Sequence, residues 1–391
     1  MDANTVTFSF FLIFTGAAVL ASFALFTRQP LIIAYIALGA LIGPYGFSMV
    51  TDLALLSDIG HVGIIFLLFL LGLDMQPQAL WATLRSSTVV ALISSIIFLG
   101  LGFGIAWLFG YSVVDALIVG VAMMFSSTII GIKLLPTTVL HHRHIGELMV
   151  GLLLLQDVLA IIVLMVLLGA SNTGTDFIGG DIALSLLSLP LLTVAAWLLV
   201  RYILLPLITR FDRIHEYIFL LAIGWCLGLA EAAHHLGLSA EIGAFIAGVS
   251  IATSPISQYI AVNLKPLRDF FLILFFFAVG ARLDLSELGE VLIPAVLLAA
   301  LVLAMKPIVY QFLLKGVSEQ RALAWNLGFR LGQASEFSLL IAYVAAGSAL
   351  ISGSASMLIQ TATIITFLIS SYIVVFNYPT PIAVSDKLRR D

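Results

Sequence analysis

The chain has 391 residues, 62% of them hydrophobic and 10% charged, with a net charge of -4 and a mean hydropathy of +1.18. That composition excludes a soluble globular domain and indicates a polytopic helical membrane protein in a lipid bilayer. The apolar runs are continuous rather than alternating, which excludes a β-barrel. The mild charge is spread over loops and points to no nucleic-acid partner, and the single cysteine, Cys226, leaves no disulfide framework or thiolate metal site.

The N-terminus, MDANTV, carries no basic residue ahead of a long apolar run, so it reads as a retained span rather than a cleaved signal. Thirteen apolar segments follow, over residues 6–27, 30–43, 54–73, 87–109, 113–135, 146–169, 182–208, 215–236, 240–253, 264–281, 290–314, 320–346 and 354–377. The expected fold is all-α with about thirteen transmembrane helices. Of the fourteen Lys and Arg residues in loops, at segment ends and in the tail, thirteen lie between an odd-numbered segment and the next or in the C-tail, and only Arg282 lies after an even-numbered one. The basic side is cytoplasmic. The N-terminus is then outside and the C-terminus inside, in a multi-pass protein of the cell (inner) membrane.

A faint internal repeat runs through the chain. IAYIALGALIGP (33–44) matches EIGAFIAGVSIATSP (241–255), and FLLFLLGLDMQPQAL (66–80) matches LILFFFAVGARLDLSEL (272–288). The polar break SST at 126–128 corresponds to QASE at 333–336. The common offset is about seven segments, an odd number, so the two halves should lie in opposite orientation, as in secondary transporters. The chain is expected to divide into a first inverted repeat (1–170), a linker helix (182–208), a second inverted repeat (215–377) and a short cytoplasmic tail (378–391), with no soluble regulatory domain.

Charge inside the spans marks the candidate site. In GLLLLQDVLAII (151–162), Gln156 and Asp157 sit amid residues with no other polar side chain. A carboxylate at that depth costs roughly 2.5–3.5 kcal/mol on insertion scales and is a functional-site hypothesis by default. Such an acid holds either a proton or a metal cation, and that competition is antiport in its smallest form. Gln156 offers an amide oxygen, and the hydroxyls of Ser126, Ser127 and Thr128 offer more, a set that suits an alkali cation at Asp157.

The SST trio and the stretch holding Arg330, Gln333, Ser335 and Glu336 each interrupt an apolar helix. Irregular backbone at membrane depth needs protein or a wet cavity around it. Glu336 then suits an N-terminal helix end and Arg330 a C-terminal one. Lys306, deep in LVLAMKPIVYQFLL, is expected to face the same core as Asp157. His141, His142 and His144, in the loop before the Asp157 helix, are candidate pH sensors because histidine titrates in the physiological range. His234, His235, Glu231 and Glu241 either line an outer funnel or mark helix ends, and Asp115 is expected to cap its own helix.

Together, SST at 126–128, QD at 156–157, the lysine before Pro307, GQASEF at 332–337 and LGLDMQP at 71–77 resemble the monovalent cation:proton antiporter-2 family, and within it the membrane domain of Kef-type potassium efflux systems. The resemblance covers essentially the whole chain. It implies crossed broken helices, a mobile core of segments 4–6 and 11–13, a dimerisation panel of segments 1–3 with 8–10, and elevator-like transport by a homodimer. It makes Asp157 the acid that carries ion and proton and Lys306 the core lysine. Relatives with Asp-Asp can pair the first acid with that lysine; Gln156 cannot, so one-for-one electroneutral exchange is the simpler expectation. Kef systems resemble a transporter fused to a nucleotide-binding domain, whereas this chain shows no GxGxxG, so neither nucleotide nor glutathione gating is expected. The expected function is K+/H+ antiport, with Na+ second, no enzymatic activity and no cofactor. The alternatives are a channel-like K+ efflux pathway and an organic-anion symporter on a related fold.

Overall fold

The structure is a computed structural model. It describes residues 3–50, 53–74, 77–133, 144–172, 179–211, 214–236, 238, 240–254, 256–283, 288–317 and 319–379. Among these, every regular element is a helix. In chain order they are α1 (Ala3–Phe26), α2 (Leu31–Ile42), α3 (Leu53–Asp74), α4 (Pro77–Leu108), α5 (Val113–Met123), α6 (Thr128–Lys133), α7 (His144–Asn172), α8 (Gly179–Leu199), α9 (Leu205–Arg210), α10 (His215–His235), α11 (Ala240–Ala252), α12 (Ile256–Ala281), α13 (Leu288–Gly316), α14 (Arg321–Arg330), α15 (Glu336–Gly347) and α16 (Gly353–Asn377).

Among the described residues, seven helices are long and apolar enough to cross a membrane, and six shorter apolar helices accompany them; each overlaps one of the thirteen segments expected from the sequence. Large apolar side chains face outward along them: Phe23 is 64% exposed and Ile96 68%. A protein in water would hide such residues; one in lipid presents them to acyl chains. The expected linker helix, 182–208, falls on α8, a π-helical turn at Val200–Leu204, and α9. Pro206 sits at the start of α9. It has no N–H to give and its ring crowds the preceding turn, which accounts for the widened turn before it.

The chain forms two compact units. The first comprises residues 1–51, 80–164 and 279–391. Within it α13 packs on α14 and α16, and α15 packs on α16 and α5. Residues 1–51 fall in this unit together with the broken helices. One close approach sets the geometry of this unit. A Cβ on Gly328 would lie 2.8 Å from the Pro307 Cα and 2.9 Å from its carbonyl oxygen, so α14 meets α13 backbone to backbone beside Lys306.

The second unit comprises residues 52–79 and 165–278. Its centre is the packing of α3 on α11, with α10 against α11. The side chains of Phe69, Ala196, Cys226, Ala233, Ala244, Ala247 and Ile251 are completely buried there. His61 Nε2 on α3 lies 2.8 Å from the buried Glu241 carboxylate on α11. Glu241 therefore has a specific partner and does more than mark a helix end. His235 pairs with Glu231 at 3.3 Å, and both side chains are exposed.

Candidate functional site

Two helices of the first unit stop in mid-course. α5 ends at Met123 and α6 begins at Thr128; α14 ends at Arg330 and α15 begins at Glu336. Both interruptions lie where the small and polar residues SST and QASE break the apolar pattern. They touch each other directly: the Ser126 hydroxyl donates to the Leu331 carbonyl at 2.9 Å, and the Gln333 amide donates to the Ser127 carbonyl at 3.4 Å. Ser338, one turn into α15, donates to the Ala122 carbonyl at the end of α5. Hydrogen bonds thus hold the crossing at the helix ends, where backbone groups have lost their intrahelical partners.

Lys306 lies at the centre of this crossing, with no exposed surface. Its ammonium donates to the carbonyls of Phe125 in the first break and Gln333 in the second, the latter at 2.8 Å, and to the Ser126 hydroxyl at 3.2 Å. The Phe98 ring stands 5.2 Å from the ammonium. A cation among bare carbonyls at two C-terminal helix ends is favourably placed. The lysine is spent on backbone, and among the described residues no acidic side chain pairs with it.

α16 supports the second break from behind. Thr366 accepts from the Ala334 N–H at 3.0 Å, and Ser370 donates to the Gln333 side-chain oxygen at 2.8 Å. Ser335 caps α15: its hydroxyl accepts from the Phe337 N–H, and its own N–H donates to the Ser338 hydroxyl. Glu336 is the first residue of that helix, at the positive end.

Asp157 is 3% exposed on α7. The Thr128 hydroxyl, at the start of α6, lies 3.2 Å from each of its carboxylate oxygens. No described cation pairs with Asp157. The acid therefore faces the N-terminal end of α6, while the lysine sits at the C-terminal ends of α5 and α14.

The hydroxyl trio divides its work. Thr128 reaches Asp157; Ser127 caps α6 by accepting from the Ile130 N–H at 3.1 Å; Ser126 binds the second break. Gln156 uses both ends of its amide on protein. Its oxygen accepts from the Ser126 N–H at 3.0 Å and its nitrogen donates to the Tyr310 hydroxyl at 2.7 Å. Arg330 is buried but turns away from the crossing. It donates to the Asn326 side chain and to the Pro379 carbonyl, each at 2.7 Å, and faces the Tyr378 ring. It thus ties the end of α14 to the stretch after α16. Asp115 is capped by Ser112 at its own N–H, and its carboxylate accepts from the Ser352 N–H and hydroxyl at 2.9 and 3.1 Å. It holds Ser352, whose hydroxyl caps α16 by accepting from the Ala355 N–H. His141 and His142 lie outside the described residues, and of His144 only the backbone is described, as the first residue of α7.

Tyr310, Phe98, Ser338, Thr366 and Ser370 were not expected from the sequence. Single hydroxyls in apolar helices look like ordinary helix residues, and only the spacing of Tyr310 one turn after Lys306 could have singled it out.

Comparison with known proteins agrees with this architecture. An iron transporter, MagA, of Paramagnetospirillum magneticum is 28% identical over 350 residues, 88% of this chain and 79% of that protein. K(+) efflux antiporter 4 of Arabidopsis thaliana is 30% identical over 325 residues, 80% of this chain and 54% of that one. The glutathione-regulated potassium-efflux system protein KefC of Klebsiella pneumoniae is 29% identical over 347 residues, 87% and 55% respectively. The chain thus spans little more than half the length of these potassium-efflux relatives. The sodium proton antiporter MjNhaP1 of Methanocaldococcus jannaschii shares the fold, with a TM-score of 0.66 over 95% of this chain and 94% of that one at 16% identity. The model of the family described as sodium/hydrogen exchanger, transmembrane, matches residues 10–376. With the match running from α1 to the end of α16, this chain belongs to the sodium/hydrogen exchanger family.

Proposed function

We propose that this chain is a monovalent cation:proton antiporter that exchanges K+, with Na+ second, for H+ by alternating access at Asp157. The observation that carries this reading is the division of charge at the crossing. Lys306 is bound to the Phe125 and Gln333 carbonyls, which leaves Asp157 facing the Thr128 hydroxyl with no cationic side chain on it among the described residues. A buried acid with oxygen neighbours and no resident counter-charge is neutral with a proton and neutral with an alkali cation. One acid then exchanges one cation for one proton. Membrane potential alone should drive no flux through such a cycle.

The names of the potassium-efflux relatives support K+ as the first cation. The MagA relative makes ferrous iron a control worth including. The hydrogen-bond partner of the Asp157 carboxylate is the Thr128 hydroxyl, and among the described residues no group of three His, Cys, Asp or Glu side chains is placed to hold a metal. That donor set favours a hard cation over iron.

On this reading the halves 1–170 and 215–377 are inverted repeats, with their breaks at corresponding places. The protein works as a homodimer in the cell membrane with its N-terminus outside, as the distribution of Lys and Arg supports. Adding each alkali chloride to acid-loaded proteoliposomes tests the function. Dissipation of the pH gradient by KCl supports it, and absence of any response to KCl, NaCl, RbCl or LiCl overturns it.

A further inference from the structure

Gln156 and Asp157 are consecutive on α7, so their side chains leave the helix about 100° apart. They meet different neighbours. Asp157 faces the start of α6, and Gln156 faces α13 and the first break. The Ser126 N–H is a donor only, so the atom facing it is the amide oxygen. The amide nitrogen then has to donate, and the Tyr310 hydroxyl accepts it. Gln156, Ser126 and Tyr310 have no exposed surface. Tyr310 is four residues after Lys306 and shares its helix face. Its ring is held edge-on to Phe98, with centroids 5.6 Å apart.

We infer that Tyr310 is a positioning residue for the transport site: through Gln156 it holds the first break where Thr128 reaches Asp157, and it commits the Gln156 amide to the protein rather than to the ion. The chain of contact is continuous. Tyr310 orients the amide, the amide oxygen anchors the Ser126 N–H, and two residues later Thr128 places its hydroxyl on the Asp157 carboxylate. The inference rests on the reading of Asp157 as the exchange site. Its consequence is specific: the ligands of the cation come from Asp157 and the Thr128 side of the site, and Gln156 acts on affinity only indirectly.

A double-mutant cycle tests it in proteoliposomes, with K+-driven proton exchange measured against K+ concentration for wild type, Tyr310→Phe, Gln156→Met and the double variant. Tyr310→Phe should raise the apparent KM for K+ by about threefold to tenfold while the maximal rate stays within about twofold. Gln156→Met should do the same, and the double variant should be no worse than the poorer single one, because both break one strut. If Gln156 ligates the ion directly, its effect will multiply with that of Tyr310→Phe, and the inference fails. It also fails if Tyr310→Phe matches an active wild type. A wild type that responds to no alkali cation counts instead against the proposed function. The strut is then read by the same cycle on melting temperature in detergent, where non-additive losses support it and additive losses overturn it.

Discussion

Replacing Lys306 with methionine keeps most of the length of the side chain and removes its three donors. The Phe125 and Gln333 carbonyls lose their partner at the crossing, whereas Ser126 keeps its bond to Leu331. A buried acceptor left bare costs about 1–3 kcal/mol, so the two carbonyls together cost about 2–6 kcal/mol. Removing a buried ammonium returns part of that, since its desolvation penalty is several kcal/mol. The net loss should be on the order of 2 kcal/mol. Equilibrium unfolding in mixed detergent micelles measures it. The decisive comparison is the same substitution in an Asp157→Asn background. Because the lysine is bound to carbonyls and not to Asp157, the coupling between the two changes should stay below about 1 kcal/mol. If Lys306 and Asp157 formed an ion pair, removing one partner would strand the other at about 3–5 kcal/mol, and the second substitution would recover much of it. Recovery of that size would refute this account of the crossing.

Two further outcomes follow from the packing of each unit. Gly248→Ala should destabilise the second unit by about 1–3 kcal/mol, because its new methyl would meet the Phe69 carbonyl and lie 2.8 Å from the Leu73 nitrogen and 2.9 Å from the Gly72 Cα, all of them α3 backbone; an unchanged melting temperature would contradict that close approach. Asp115→Ala should cost about 0.5–2 kcal/mol through the lost hold on Ser352, the cap of α16, and Asp115→Asn, which keeps an acceptor oxygen for the Ser352 N–H, should cost less; equal losses would show that this hold is not the reason.

Much of the fold was legible because lipid imposes a simple rule on sequence. Each span must be apolar over its length, so the thirteen runs announced themselves, and SST and QASE stood out as polar residues where none is needed. Gln156 and Asp157 stood out for the same reason. The partner of Lys306 did not, because backbone carbonyls leave no mark in a side-chain pattern. Nor did Thr366 and Ser370, whose hydroxyls are unremarkable in a helix until a neighbouring break needs a donor or an acceptor. Arg330 shows the opposite case. The expected C-terminal helix end is where it lies, as the last residue of α14, but a long side chain can reach beyond its own turn, and it reaches the Pro379 carbonyl. Asp115 misled through locality: the nearest helix end was its own, and the cap it holds, Ser352, starts a helix more than two hundred residues later.

The claim on which the rest depends is that one buried carboxylate exchanges cation for proton. The direct measurement is uphill K+ uptake into proteoliposomes driven by an imposed pH gradient, with wild type and Asp157→Asn compared at matched insertion and melting temperature. The account predicts accumulation of K+ above its external concentration in wild type and none with Asp157→Asn. Accumulation by Asp157→Asn at the wild-type rate, or a wild type that only lets K+ run down its own gradient, would contradict it.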